Sequence, residues 1–321
     1  MDFLANYFGS LNPMSFLSAL PGNIAQGIIW GFMGLGVFLT FKLLNFADLS
    51  VDGSFATGGA VTAVMLINGC PVWATIIVAI LAGLAAGLVT GLLHTLLGIP
   101  DILAGILTQI ALYSINLNIM GKSNLPISYR NYTLVVSASN INMAILVGLG
   151  ICAVVIAAMY WYFGTEQGST IRSTGSNPAM SKAQGININF TKVIALALSN
   201  GLVALSGSLF AQYQGFADIN MGRGAIVIGL AAVIIGEVLG EAIFRKHMNF
   251  IIRMLFVIVG GILYYIAMGI VLWLKMPTDD TKLFTAIIVA IFLAVPYLQK
   301  KRKTSFKKVA KMNAKNAQKE G

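Results

Sequence analysis

The sequence is short of charge, cysteine and histidine. Of its 321 residues only 10% are charged, against roughly 25% in an average soluble domain. The two cysteines, Cys70 and Cys152, lie far apart with no redox or metal spacing, so neither a disulfide scaffold nor a thiolate metal site is expected. Of the two histidines, His94 falls late in an apolar run and reads as a helix-end hydrogen-bonding residue, while His247 sits in a basic turn. No Ser/His/Asp or paired-carboxylate arrangement occurs at catalytic spacing, so no catalytic residue and no bound metal are expected. The triplet Gly121-Lys122-Ser123 imitates the end of a phosphate-binding loop, but Asn116 stands where its first glycine belongs. A chain without that loop does not hydrolyse ATP alone. The opening MDFLANYFGSLNPM has no basic region before an apolar core, which argues against a cleavable signal peptide. Residues 1–20 are expected as a short amphipathic helix lying on a membrane surface.

What the sequence has is apolar length. Hydrophobic residues make up 57% of the chain and mean hydropathy is +0.83. A soluble fold of this size could not hide that much apolar surface. Runs long enough to cross a bilayer as helix lie near 22–42, 46–67, 72–97, 101–120, 143–163, 190–213, 224–243, 250–274 and 281–298. The expected fold is all-α, a polytopic membrane helical bundle of about nine spans, with eight to ten the range. One transmembrane domain would occupy 1–299. Residues 300–321 carry nine of the 21 basic residues and one acid, Glu320, so this tail holds +8 of the net +10. Such a tail fits a cytoplasmic end against anionic lipid better than a nucleic-acid arm. With the tail inside, Lys42, the 164–190 loop with Arg172 and Lys182, and the Arg245-Lys246 turn fall on the same side. Lys122, Arg130, Arg223 and Asp218 then fall outside, and so does the N-terminus.

Two stretches echo each other. Residues 45–60 read NFADLSVDGSFATGGA and residues 215–230 read GFADINMGRGAIVIGL. At an offset of 170, Phe46, Ala47, Asp48 and Gly59 meet Phe216, Ala217, Asp218 and Gly229. By the topology above they enter the membrane from opposite sides, as in an inverted pseudo-two-fold repeat, and such repeats place a solute path at their interface. The second span begins with Asn45, Asp48, Ser50, Asp52, Ser54 and Thr57. Its Gly and Ser content would permit an unwound segment. Asp48 and Asp52, four apart, would share a helix face. Charge within a span is costly and normally faces a cavity or partner, although both acids would also suit the headgroup zone. Gln109 and Asn116 on the fourth span and Glu237 on the seventh complete the candidate pathway set of Asn45, Asp48, Asp52, Ser54, Thr57, Gln109, Asn116 and Glu237. Glu241 would pair with Arg245, leaving Glu237 as the deeper unassigned acid.

The loop 164–190 contains GTEQGSTIRSTGSNPAMSKAQGIN. Ser176 or Asn177 can cap a helix, Pro178 suits its first position and Gly185 the residue after its end. A helix of about two turns follows over 179–184, too short to be stable without tertiary support. A partner surface or the chain's own spans could supply that support. The stretch from Gly168 through Ile171-Arg172, Gly175-Ser176-Asn177, Ala179 and Lys182-Ala183 to Gly185-Ile186-Asn187 resembles the ABC permease family of branched-chain amino acid and ribose importers. LLNFADLSVDGSFATGGA and GIPDILAGILTQIAL (98–112) resemble its second and fourth spans. The acid pair of the second span and GEVLGEAIF (236–244) are similar to a tryptophan/tyrosine-type subgroup. This resemblance implies that Gly168, Arg172, Gly175, Asn177, Pro178, Ala179, Lys182 and Gly185 form a coupling helix docked on a separate cytosolic ATPase. It further implies two permease subunits around one pore, the simplest case being a homodimer, and an extracellular or periplasmic substrate-binding protein. The chain itself would bind no cofactor, with ATP and magnesium used by the partner, and it would sit in the bacterial cell membrane carrying a small solute such as an amino acid. An ion-gradient-driven secondary transporter using Asp48, Asp52 or Glu237 is the alternative on these residues.

Overall fold

The computed structural model describes residues 13–128, 132, 134–244, 248–274, 283–292 and 294. The basic tail, Arg245 and residues 1–12 lie outside them, and with them the expected tail contact and the Glu241–Arg245 pair. The described residues are mostly helical. Helix α1 (Pro13–Val37) runs into a π-helical turn, Phe38–Leu43. After it come α2 (Val51–Ile67), α3 (Val72–Thr95), α4 (Asp101–Met120), α5 (Ile141–Gly164), α6 (Glu166–Ser176), α7 (Pro178–Ala183), α8 (Ile188–Gln214), α9 (Ala225–Phe244), α10 (Phe250–Trp273) and α11 (Leu283–Phe292). Seven of these are long and apolar enough to cross a membrane, α1 with its π turn, α3, α4, α5, α8, α9 and α10. Helices α2 and α11 are apolar but shorter. Among the described residues each of the nine apolar runs overlaps one helix, and seven of these helices reach spanning length.

Two expectations are corrected. Residues 13–20 belong to α1, which continues through Pro21, instead of forming a separate surface helix. The second run begins as helix at Val51 and not at 46, because residues 44–50 are unwound: Asn45 takes a left-handed φ of 55°. After α4 the chain forms a short strand. Strand β1 (Asn124–Pro126) pairs antiparallel with β2 (Phe216–Asp218), Leu125 opposite Ala217. Gly121, the glycine of the false phosphate-loop triplet, ends α4 in the left-handed conformation, its N–H donating to Leu117 O.

The centre of the bundle is a close stack of α8 against α1, α2 and α3. Gly83, Gly87 and Gly91, one per turn of α3, lie directly on the α8 backbone at Asn200, Leu196 and Val193. A methyl group at any of them would collide with that backbone, which is the small-residue packing that lets membrane helices approach. On α2 and α8, Gly58 meets Ala204 and Gly207 meets Phe55 in the same manner. Trp30, Phe55 and Phe210 fill the space beside this seam, with Trp30 4.7 Å from Phe55 and 5.2 Å from Phe210 between ring centroids.

The contacts between α1 and α8 are reciprocal. Ser199 Oγ donates to Gly36 O at 2.8 Å, and Ser206 Oγ donates to Ile29 O at 2.7 Å. At the offset of 170, Ile29 corresponds to Ser199 and Gly36 to Ser206, so the two bonds join the same pair of positions from either half. Asp52 and its counterpart Gly222 touch each other, since a Cβ on Gly222 would run into the Asp52 carbonyl. The aspartates of the echo also repeat one local bond: Ser50 N donates to Asp48 Oδ1 at 2.9 Å and Asn220 N to Asp218 Oδ1 at 2.7 Å. In each half an Asx-type turn precedes the start of a helix, α2 in the first and α9 in the second.

Candidate functional site

The unwound segment 44–50 carries its polar groups into the middle of the bundle. Asn200 lies 12 residues into α8, about 18 Å along its axis, and receives them. Asp48 is 3% exposed and its Oδ2 accepts from Asn200 Nδ2 at 2.8 Å. Ser54 Oγ donates to Asn200 Oδ1 at 2.6 Å, and Ser50 Oγ reaches both Asp48 and Asn200. A buried carboxylate is tolerated where hydrogen bonds meet it, and this knot fastens the break to α8. Thr57 turns back onto Gly53 O at 2.9 Å within α2, and Asn45 stays exposed at the turn.

Asp52 does something different. Its Oδ2 accepts from Gly224 N at 2.9 Å and its Oδ1 from Ile226 N at 2.8 Å. These are N–H groups at the beginning of α9, where a helix has no internal acceptors, and a carboxylate there also meets the positive end of the helix dipole. The first turn of α2 thereby caps α9 from across the bundle. Asp48 and Asp52 do not share a helix face as the spacing suggested, because the helix begins only after Asp48.

Beside Asp52 a cavity of about 340 Å³ opens between α2, α4 and the turn before α9. Asp52, Gln109, Tyr113, Ser114, Asn116 and Arg223 give it polar lining, and Ala56, Ile110 and Ile219 its apolar wall. Asn116 is 1% exposed, and neither its amide nitrogen nor its oxygen has a hydrogen-bond partner among the described residues. Arg223 is exposed to this space and has no carboxylate within ion-pair distance among the described residues. The sequence reading had put Arg223 in an outer loop. In the structure this turn lies against α2, with Met221 against Gly59 and Gly222 against Asp52.

At the far end of α5 the 164–190 loop folds into two helices. The second answers the expectation closely: Asn177 accepts from Met180 N at 3.1 Å, Pro178 opens α7, and Gly185 follows with φ at +81°. Helix α6 before it was not foreseen. Thr165 caps it, Ile171 is buried at 1% exposure, and Arg172 donates to Phe163 O at 2.9 Å. Gly168 lies on Phe163 and Gly175 on the Leu43 carbonyl at the end of the π-helical turn, with no room for a Cβ at either. Ser181 is buried, whereas Asn177 to Met180 and Lys182 to Gly185 are exposed, Met180 at 58%. The loop is thus clamped to the bundle on one side and free on the other.

The model of the family described as "Branched-chain amino acid transport system / permease component" matches residues 22–296. The chain belongs to this permease family. It is therefore a multi-pass membrane protein, and a transport family rather than an enzymatic one. It is 42% identical over 301 residues to the tyrosine transport system permease protein of Clostridioides difficile, covering 93% of this chain and 99% of that one. It is 27% identical to the D-allose transport system permease protein AlsC of Escherichia coli over 80% of this chain and 77% of that one. Among solved structures, PsaBC from Streptococcus pneumoniae in complex with Fab superposes with a TM-score of 0.51 at 16% identity, over 91% and 94% of the two chains. That likeness supports the fold alone.

Within this permease chain the sequence-derived pathway residues separate into three places. Asp52, Gln109 and Asn116 line the cavity, while Asp48 and Ser54 belong to the Asn200 knot. Glu237 is not the unassigned acid it resembled: Lys42 Nζ donates to it at 2.7 Å, and Arg253 stands 3.8 Å away. The reason lies in packing, since α9 runs alongside α1 and brings Glu237 to the end of the π-helical turn. His94 behaves as a helix-end residue, its Nδ1 2.8 Å from Ile99 O and its Nε2 2.9 Å from Lys192 Nζ. With a carbonyl on one side and an ammonium on the other, Nδ1 carries the proton and Nε2 accepts. Sequence reasoning missed Asn200, Tyr113 and Arg223. Asn200 had a readable signal, the Ser199-Asn200 pair in the middle of an apolar run, whereas Arg223 had none because nothing in the sequence tells which helix its turn lies against.

Proposed function

We propose that this chain is the transmembrane permease subunit of a bacterial ABC importer for a small solute, most simply an amino acid. Two copies would enclose one pathway, coupled through α6 and α7 to a separate cytosolic ATPase that uses ATP and magnesium. A substrate-binding protein would deliver the solute to the opposite end. The observation that carries this reading is the half-clamped loop. Ile171, Gly175 and Ser181 bind α6 and α7 to the bundle, and an exposed surface around Ala179, Met180 and Lys182 is left over. A rigid lever with a free face suits the passage of motion from a partner into the π-helical turn that leads from α1 toward α2, which it touches at Leu43. The reciprocal α1–α8 bonds support an inverted two-fold relation, with the loop end inside. The match to a tyrosine transport permease supports an amino acid as cargo.

The second copy is supported by α4. Tyr113 and Ser114 are exposed on it beside the exposed Arg223, and polar groups left facing hydrocarbon are costly. Cover by another copy would remove that cost and bring two cavities together. The ion-driven alternative has lost its free acids, since Asp48, Asp52 and Glu237 all have partners. The test is an Ala179→Asp/Met180→Glu double substitution on the exposed face. The melting temperature of the solubilised chain should not change, while the ATPase no longer co-purifies and uptake stops. Normal uptake with the ATPase still bound would remove the coupling role from α7.

A further inference from the structure

The cavity beside Asp52 has a chemistry that selects among small solutes. Its lining carries one carboxylate and one guanidinium that are not paired with each other. Asp52 spends two acceptor positions on Gly224 N and Ile226 N, and a carboxylate has about four. Asn116 offers a buried amide with both ends unmet, a state that buried polar groups rarely keep without an occupant. Ile110, Ile219 and the ring face of Tyr113, whose hydroxyl is polar, supply an apolar wall. At about 340 Å³ the space stands at the small end of ligand pockets, which run from about 300 Å³ upward.

We propose that this cavity is a binding station for an α-amino acid zwitterion, in which Arg223 takes the carboxylate, Asp52 and Asn116 face the ammonium group, and the wall of Tyr113, Ile110 and Ile219 receives the side chain. The proposal rests on the permease reading and adds to it the residues that hold the solute and the charged groups they recognise. A neutral sugar would leave the guanidinium and the carboxylate without compensating charge. A simple anion would satisfy Arg223 and be repelled by Asp52. Only a solute bearing both charges a short distance apart meets both groups. Guanidinium–carboxylate contacts are directional and can be bidentate, so Arg223 also fixes which way the side chain points.

The test uses the full-length chain in nanodiscs with four probes: L-tyrosine, tyramine, which lacks the carboxylate, 3-(4-hydroxyphenyl)propanoate, which lacks the ammonium group, and D-ribose. Binding is followed by saturation-transfer NMR. L-tyrosine should bind saturably, with tyramine and the propanoate each weaker by about tenfold or more, the loss expected for one charge-assisted contact. Arg223→Gln should bring L-tyrosine down to the level of tyramine and leave tyramine unchanged, and Arg223→Lys should restore part of the difference. Absence of saturable L-tyrosine binding, equal binding of ribose, or equal weakening of all probes by Arg223→Gln would each overturn the site. Failure here, with uptake by the whole transporter still abolished by the α7 double substitution, would remove the station and leave the permease reading intact. Uptake that survives the α7 substitution would count against the permease reading while the nanodisc binding data continued to judge the cavity.

Discussion

Replacing Asp52 tests whether a side chain on α2 holds the beginning of α9. The carboxylate accepts two backbone N–H groups, at 2.9 Å and 2.8 Å, and both lack any partner within their own helix. A hydrogen bond to a charged group contributes about 1.5–3 kcal/mol, and a negative charge at a partly buried helix N-terminus adds up to about 2 kcal/mol. Asp52→Ala removes both bonds, a loss of about 3–6 kcal/mol, and the dipole interaction in addition. Asp52→Asn keeps one carbonyl acceptor and turns an amide N–H2 toward the second donor, so it should lose about 2–4 kcal/mol. The melting temperatures of the solubilised protein, read by fluorescence-detected size exclusion, should therefore fall in the order wild type, Asn, Ala. Uptake should fall with them, whereas Asp2→Ala should have no such effect. Asn and Ala variants that melt with the wild type would refute the cap. An Asn variant that is stable but inactive would instead restore Asp52 as a titrating group in an ion-driven mechanism.

Two further outcomes follow from local geometry. Gly175→Ala should destabilise the chain although the added group is a single methyl, because its Cβ would overlap the Leu43 carbonyl. Ser176→Ala next to it, at an exposed position, should leave the melting temperature within measurement error. The Lys42–Glu237 pair is half open, with side-chain exposures of 44% and 16%, so a double-mutant cycle should give a coupling of only about 0.2–1 kcal/mol. A larger coupling in stability would mean that the pair is more enclosed in the working assembly than in the single chain.

Much of the fold was legible because membrane spans declare themselves by composition alone. Each apolar run overlaps one helix among the described residues, seven of them long enough to cross a membrane, and the loop helix α7 was read from Asn177, Pro178 and Gly185, since caps act through neighbours in sequence. The misreadings share a cause. Residues 46–50 are apolar and polar in the proportions of a span start, but whether they coil is decided by Asn200, some 150 residues away. Glu237 looked solitary because Lys42 is 195 residues distant. Helix α6 was missed because its sequence, EQGSTIRSTGS, is poor in helix formers and is held by the fit of Ile171, Gly168 and Gly175 against other elements. The coupling set proposed above was named only from the resemblance to a family. The cavity set was found only in part, because Gln109 and Asn116 advertise polarity within an apolar run and Arg223 does not.

The echo of Asp48 and Asp218 explains why the break and the cavity occur together. Each aspartate turns the chain through an Asx-type bond just before a helix, so each half of the protein delivers a helix N-terminus into the interior instead of to its surface. Two such ends facing one another would leave unmet N–H groups on both sides of the same space. The halves have resolved this differently. In the first, the segment before α2 is tied to Asn200; in the second, the beginning of α9 is tied to Asp52, whose counterpart is Gly222. A carboxylate at position 222 would place two like charges in contact, whereas glycine lets the turn approach the α2 backbone. The asymmetry leaves an acid on one side of the space and Arg223 on the other. On this argument the polarity of the cavity comes from the place where the two-fold relation is broken, and Gly222→Ala, which would force the turn away from α2, should disturb the cap and the cavity together. Loss of α9 stability with solute binding unchanged in that variant would separate them and undo the argument.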